Sequence, residues 1–111
     1  MNEKRRSDRK PVDSIILVTD AITEQPVGRI GNLSATGLML IGPRPMNDDA
    51  VYQFRFDLPR RGNEERRSLE VGVHEQWAEE AAIPGQYWSG MRFIDIGDDD
   101  AAALTRWLQS P

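Results

Sequence analysis

The chain has no cysteine and a single histidine. The missing cysteine excludes disulfides, thiolate metal sites and cysteine nucleophiles. No apolar run approaches the ~20 residues that a membrane-spanning helix requires, and the N-terminus lacks the apolar core of a secretory signal. A cytoplasmic location is therefore expected. No glycine-rich phosphate loop followed by Lys and Ser/Thr occurs. The lone His74 falls in the middle of a predicted strand, and no spacing supplies it with a triad or an acid pair. A general base needs an orienting partner and a substrate proton within reach, so a strand-face histidine is the plainer account. Asp98-Asp99-Asp100 is not read as a metal cluster. Consecutive residues on a helix point in different directions, and acids in a first turn suit the positive end of the helix dipole. These absences point away from an enzyme and from any metal.

What is present is a chain of 111 residues, the length of one domain that folds without staples. The formal net charge of −4 is unevenly spread. Lys4, Arg5, Arg6, Arg9 and Lys10 outweigh Glu3 and Asp8, so residues 3–10 carry +3 and the remainder carries −7. A basic tip on an acidic body argues against a broad nucleic-acid surface, which needs many phosphate contacts. It suits one compact anionic ligand.

Residues 1–10 have no apolar side chain after Met1 and read as a loosely held basic arm. Six short strands are then predicted. Residues 14–19 form a buried apolar strand, and 27–31 deliver the chain to a polar turn, Asn32 to Gly37. Leu38-Met39-Leu40-Ile41 is apolar on both faces and ends at Gly42-Pro43-Arg44-Pro45, where prolines cannot continue a ladder. Residues 51–58 alternate cleanly, with Tyr52, Phe54, Phe56 and Leu58 on one face. Leu69, Val71 and Val73 share a face of a strand running towards Trp77, with 79–85 as a connector, and residues 87–94 form the last strand. From 98 to 109 the period turns helical through Ala101, Leu104, Trp107 and Leu108, with Asp98 as cap. The expected fold is all-β: a six-stranded antiparallel β-barrel with a C-terminal α-helix over one opening. The arm spans 1–10 and the barrel domain 11–111.

Two segments carry the functional signal. Arg5 and Arg9 are four apart. Guanidinium groups fork onto phosphate oxygens, pair with a guanine edge or stack on a base. Arg60-Arg61 and Arg66-Arg67 show that arginine pairs are plentiful here, and a solvated tail would account for the arm equally well. Asn32 offers an amide that both donates and accepts, Ser34 a hydroxyl, and Gly37 a close backbone approach. An ordinary polar turn would use the same residues.

Together, Arg5-x-x-x-Arg9 and Asn32-x-Ser34-x-x-Gly37 resemble the two-part signature of the PilZ domain family, RxxxR followed by [D/N]xSxxG. The likeness continues through Val71-Gly72-Val73 to Trp77, and through Gly90-Met91-Arg92-Phe93 before the final helix. The resemblance implies a bacterial receptor for the second messenger cyclic di-GMP, with no other cofactor. By that analogy Arg5 and Arg9 grip the phosphates and the Hoogsteen edges of guanine. Asn32 and Ser34 meet a base and the nearby phosphate, and Gly37 fits close beneath. Trp77 is a candidate aromatic wall, although a core tryptophan is the plainer account of it. Lys4 and Arg6 add charge, and Lys4, just ahead of the first arginine, leaves open whether one messenger or a stacked pair binds.

The expected protein is a monomer or weak dimer that passes its signal to a downstream protein once the ligand orders the arm. Two other classes remain. One is a ligand-independent protein-interaction module on the same barrel. The other, disfavoured by the −7 body, is a nucleic-acid binder using the basic arm.

Overall fold

Alternation decides which side chains go inward. In Val51–Leu58, Phe54, Phe56 and Leu58 are buried, while Gln53, Arg55 and Asp57 take the opposite face. The computed structural model of the chain describes residues 10, 11 and 14–111. Its strands are β1 (Lys10–Pro11), β2 (Leu17–Asp20), β3 (Gln25–Leu33), β4 (Gly37–Gly42), β5 (Val51–Leu58), β6 (Arg67–Glu80) and β7 (Tyr87–Asp95). Helix α1 (Asp98–Gln109) follows.

All pairings are antiparallel. The order β3-β2-β5-β6-β7-β4 returns to β3 and closes a six-stranded barrel, so the ring itself has no free edge. The two-residue β1 lies outside that ring. It continues the line of β2 along β3, pairing Lys10 with Leu33 and Pro11 with Asn32. The expected all-β barrel with one closing helix is therefore the observed fold. The interior holds Val18, Ile30, Leu33, Leu38, Leu40, Phe54 and Val73, among others, all within 1% of full burial. Each such side chain is worth about 1.5–3 kcal/mol relative to exposure.

Several local expectations are corrected. The strand expected over residues 14–19 is β2, which begins at Leu17 and is not buried on both sides. Ile16 and Val18 face the core, whereas Ile15 and Leu17 are 77% and 68% exposed. An antiparallel barrel wall has one wet face, and an all-apolar run does not change that. The strand of 27–31 extends to Leu33, because Leu33 enters the core, which leaves only Ser34, Ala35 and Thr36 as turn. The connector after β6 starts beyond Glu80 rather than at 79. Asp98 is the first helical residue and not the cap. Gly97 holds the N-cap position in an extended conformation without a side-chain bond.

The Asp20–Gln25 turn is built by Asp20, whose Oδ1 accepts from the backbone N–H of Ile22 and Thr23 at 2.9 and 3.1 Å. Glu24 sits there at φ 61°. Its carboxylate takes a two-pronged bond from Arg55 on β5, and that guanidinium lowers the Glu24 pKa. Both groups are exposed to water, so the pair adds little.

The helix buries Ala103, Leu104, Trp107 and Leu108. Ala101, expected in that stripe, is only half-buried. The 59–67 hairpin latches it. Trp107 Nε1 donates to the carbonyl of Pro59 at 2.7 Å, and the Arg61 guanidinium lies 4.5 Å from the indole centroid. Arg67 donates to Asp100 at 2.9 Å, and Arg106 to Glu64 at 3.2 Å. Trp107→Phe keeps most of the apolar area but leaves the Pro59 carbonyl unpaired and weakens the stack on Arg61. We expect a loss of about 1–3 kcal/mol, read as a lower urea midpoint at unchanged slope.

Candidate functional site

A strand alternates strictly, so one inserted residue reverses the facing of everything after it. Four such shifts occur among the described strands, and two of them build the site. In β3, Ile30 opposes Leu40 and Asn32 opposes Met39, with Gly31 as the extra residue. Ile30 points inward, and simple alternation would send Asn32 inward as well. The bulge instead buries Leu33 and turns Asn32 to the outside. In β6, Glu75 opposes Met91 and Trp77 opposes Gly90, with Gln76 inserted. Glu75 points inward at 2% exposure, and the insertion turns Trp77 outward at 43%. The core account of Trp77 therefore fails for a local reason.

These reversals align one rung across four neighbouring strands. Asn32 on β3 pairs with Met39 on β4, Met39 with Gly90 on β7, and Gly90 with Trp77 on β6. Gly90 has no side chain to fill its place. A Cβ there would lie 2.3 Å from Trp77 Nε1, so the indole lies against the β7 backbone. At the other end, Asn32 Nδ2 donates to the Met39 thioether at 3.8 Å. The rung floors a cavity of about 340 Å³, bounded also by Thr36, Gln76, Met91 and Arg92. The size is right for a base or small nucleotide portion. Its lining combines an aromatic plane, an amide at each side and a guanidinium. Arg92 is exposed and has no ion pair among the described residues.

The turn beside the shelf is internally satisfied. Ser34 is fully buried. Its hydroxyl lies 3.2 Å from Thr36 Oγ1, donates to the Gly37 carbonyl at 3.3 Å and accepts the Thr36 N–H at 3.2 Å. Gly37 opens β4, and a Cβ there would sit 2.2 Å from the Met91 carbonyl oxygen. Its lack of a side chain serves the β4–β7 approach.

The structure thus brings Asn32 and Trp77 together, with Ser34 and Gly37 behind them in the turn. Lys4, Arg5, Arg6 and Arg9 lie outside the described residues. Met39, Gln76 and Arg92 were missed as site residues. The available hint was Gly90, a glycine inside a strand next to an outward arginine, which often marks a close approach. His74 lies on β6 two residues before Gln76 and holds Asp49 at 2.6 Å. No group of His, Asp or Glu among the described residues could hold a metal ion, and no described helix is long and apolar enough to cross a membrane.

The family model for the PilZ domain matches residues 3–110. Comparison with curated proteins gives no match. Among solved structures, the Bacillus subtilis inhibitor of motility (MotI/DgrA) superposes with a TM-score of 0.73 at 14% identity, covering 97% of this chain and 51% of that one. The K. pneumonia MrkH–c-di-GMP complex gives 0.73 at 14% identity, covering 96% and 52%. The PilZ domain of YcgR from Escherichia coli with c-di-GMP gives 0.58 at 13%, covering 94% and 88%. This chain spans about half the length of the first two. At such identities these likenesses establish the fold.

The two close-approach glycines should respond differently to alanine. In Gly90→Ala the new methyl meets the Trp77 side chain, which can swing away. The fold persists and the Trp77 indole N–H resonance shifts. In Gly37→Ala the methyl meets a main-chain carbonyl that cannot yield. The expected loss is about 1–3 kcal/mol, measured by urea denaturation.

Proposed function

This chain belongs to the PilZ domain family, and on that footing we propose that it is a non-enzymatic receptor for cyclic di-GMP that hands its ligand state to a downstream protein. In this reading residues 1–10 act as a binding arm and 11–111 as the barrel domain. The observation that carries it is the register of β1, in which Pro11 pairs with Asn32 and Lys10 with Leu33. Arg9 is the next residue upstream. The chain that follows the arginine motif therefore enters the described structure at the end of β3 that carries Asn32, which supports this reading.

The roles follow from chemistry. The ligand is a dianion with two purines. Arg5 and Arg9 take the phosphates and guanine Hoogsteen edges through paired N–H donors, which a lysine ammonium could not match. Asn32 meets a base edge with its amide. Trp77 offers a flat wall to a purine, and Arg92 adds a guanidinium from β7. Lys4 and Arg6 raise the local positive charge. Ser34 and Gly37 act by shaping the turn and the β4–β7 contact. The −7 body does not attract the ligand, so the charge that does is concentrated in the arm. Closure of residues 1–10 over the shelf builds a composite surface that the free chain lacks, and a partner in the bacterial cytoplasm reads it.

Isothermal titration with cyclic di-GMP tests the reading. Binding is expected, and Arg9→Ala should weaken it at least about ten-fold, the scale of a lost charge-assisted contact. Raising sodium chloride should weaken wild-type binding progressively, because exposed charge pairs are screened. Equal affinity of Arg9→Ala and wild type would remove the arm from the site.

A further inference from the structure

Gln76, the inserted residue of the β6 bulge, is exposed and borders the shelf. Its amide is held one way round. Nε2 lies 3.2 Å from the main-chain oxygen of His74 and 2.9 Å from His74 Nδ1. A carbonyl oxygen can only accept, so the nitrogen end of the amide must face it. The same NH2 group then donates to Nδ1, which must be the unprotonated ring nitrogen. The ring proton is therefore on Nε2, donated to Asp49 Oδ1 at 2.6 Å. Asp49 is anchored in turn, its backbone N–H donating to Oε1 of the buried Glu75 at 2.8 Å. A relay from the barrel interior thus sets the tautomer of His74 and the facing of Gln76. What remains for a ligand is Gln76 Oε1, an acceptor with no partner among the described residues.

We infer that Gln76 is a base-reading residue of this site. Its Oε1 accepts from the exocyclic 2-amino group of a guanine seated against Trp77. His74 and Asp49 are positioning residues that keep the acceptor outward. A fixed acceptor selects for a ligand donor, because a base without one leaves the acceptor desolvated and unpaired. The inference rests on the receptor reading above and adds to it the residue that recognises guanine.

The test is a titration of four proteins, wild type, Gln76→Met, His74→Ala and the double variant, with cyclic di-GMP and with its inosine analogue, which lacks only the 2-amino groups. Gln76 is exposed, so the variants keep the fold, which amide spectra verify. Wild type should prefer the guanine ligand about 3- to 10-fold, the value of one net hydrogen bond. Gln76→Met should bring the ratio close to one by weakening the guanine ligand alone. His74→Ala should lower the ratio in the wild-type background and leave it unchanged in the Gln76→Met background, which a merely structural role would not do. A wild type that binds neither nucleotide overturns the receptor reading and this inference with it. Binding without preference, or a preference that survives Gln76→Met, overturns this inference alone. A further fall from His74→Ala in the Gln76→Met background overturns the positioning role.

Discussion

Two single-residue insertions, at Gly31 and Gln76, decide what the outer face of this barrel presents. A closed antiparallel wall sends every second side chain inward, and a polar or bulky group at an inward position must be accommodated there. Gly31 and Gln76 break that rule at two places on the same side of the barrel. Without the first, Asn32 would point into the core and Leu33 into water. Without the second, Trp77 would turn inward. The insertions leave Leu33 and Glu75 buried while an amide and an indole reach the outer surface at opposite ends of one rung. Antiparallel pairing resumes past both insertions, so the outer site is obtained without opening the core.

The same rung explains why glycine stands at two of its neighbours. Gly90 gives the Trp77 indole room to lie on β7, and Gly31 lets the side chains of Met39 and Ile41 fold over β3. Both are cases of backbone approached by a neighbour rather than of unusual torsion. Gly37 differs, since what it admits is the main chain of β7 itself. A short motif such as Asn-x-Ser-x-x-Gly therefore mixes residues of distinct kinds. Asn32 faces the cavity, Ser34 ties the turn, and Gly37 lets two strands close.

Most of the architecture was legible because it rests on period. The alternation of Tyr52 to Leu58, the shared face of Leu69, Val71 and Val73, and the helical spacing of Leu104, Trp107 and Leu108 translate directly into burial. What periodicity could not carry was its own interruption. Nothing in Gln76-Trp77 announces a bulge, and Gly31 gives only the general signal of a glycine inside a strand, since the extra residue is defined by what its partner strand opposes to it. Trp77 therefore looked like core, and Gln76 and Met39 did not look like site residues at all. The cap was misread for a related reason. Asp98 is a good N-cap by type, but the chain leaves β7 already extended at Gly97, and the acids serve the first turn instead. Ile15 and Leu17 show the opposite failure, where apolar type suggested burial that the wall's outer face does not provide.

In the proposed reading the shelf and the arm divide the work of recognition along physical lines. Net charge of +3 is confined to residues 3–10, while the rest of the chain carries −7, so long-range attraction for an anion belongs to the arm and is open to screening by salt. The shelf is nearly the reverse. Its amide ends, thioether and indole are fixed by strand register, by the Met39 contact at Asn32 and by the Glu75–Asp49–His74 relay at Gln76. Groups held that way lose little freedom on binding and discriminate by geometry rather than by charge. Under the proposed receptor reading, affinity and selectivity have separate seats in the molecule. On that reading a change in the arm should alter how strongly a dianion is held, and a change in the shelf which base is tolerated. The β1–β3 pairing at Asn32 joins the two, because it brings the chain onto the barrel at the edge of the shelf.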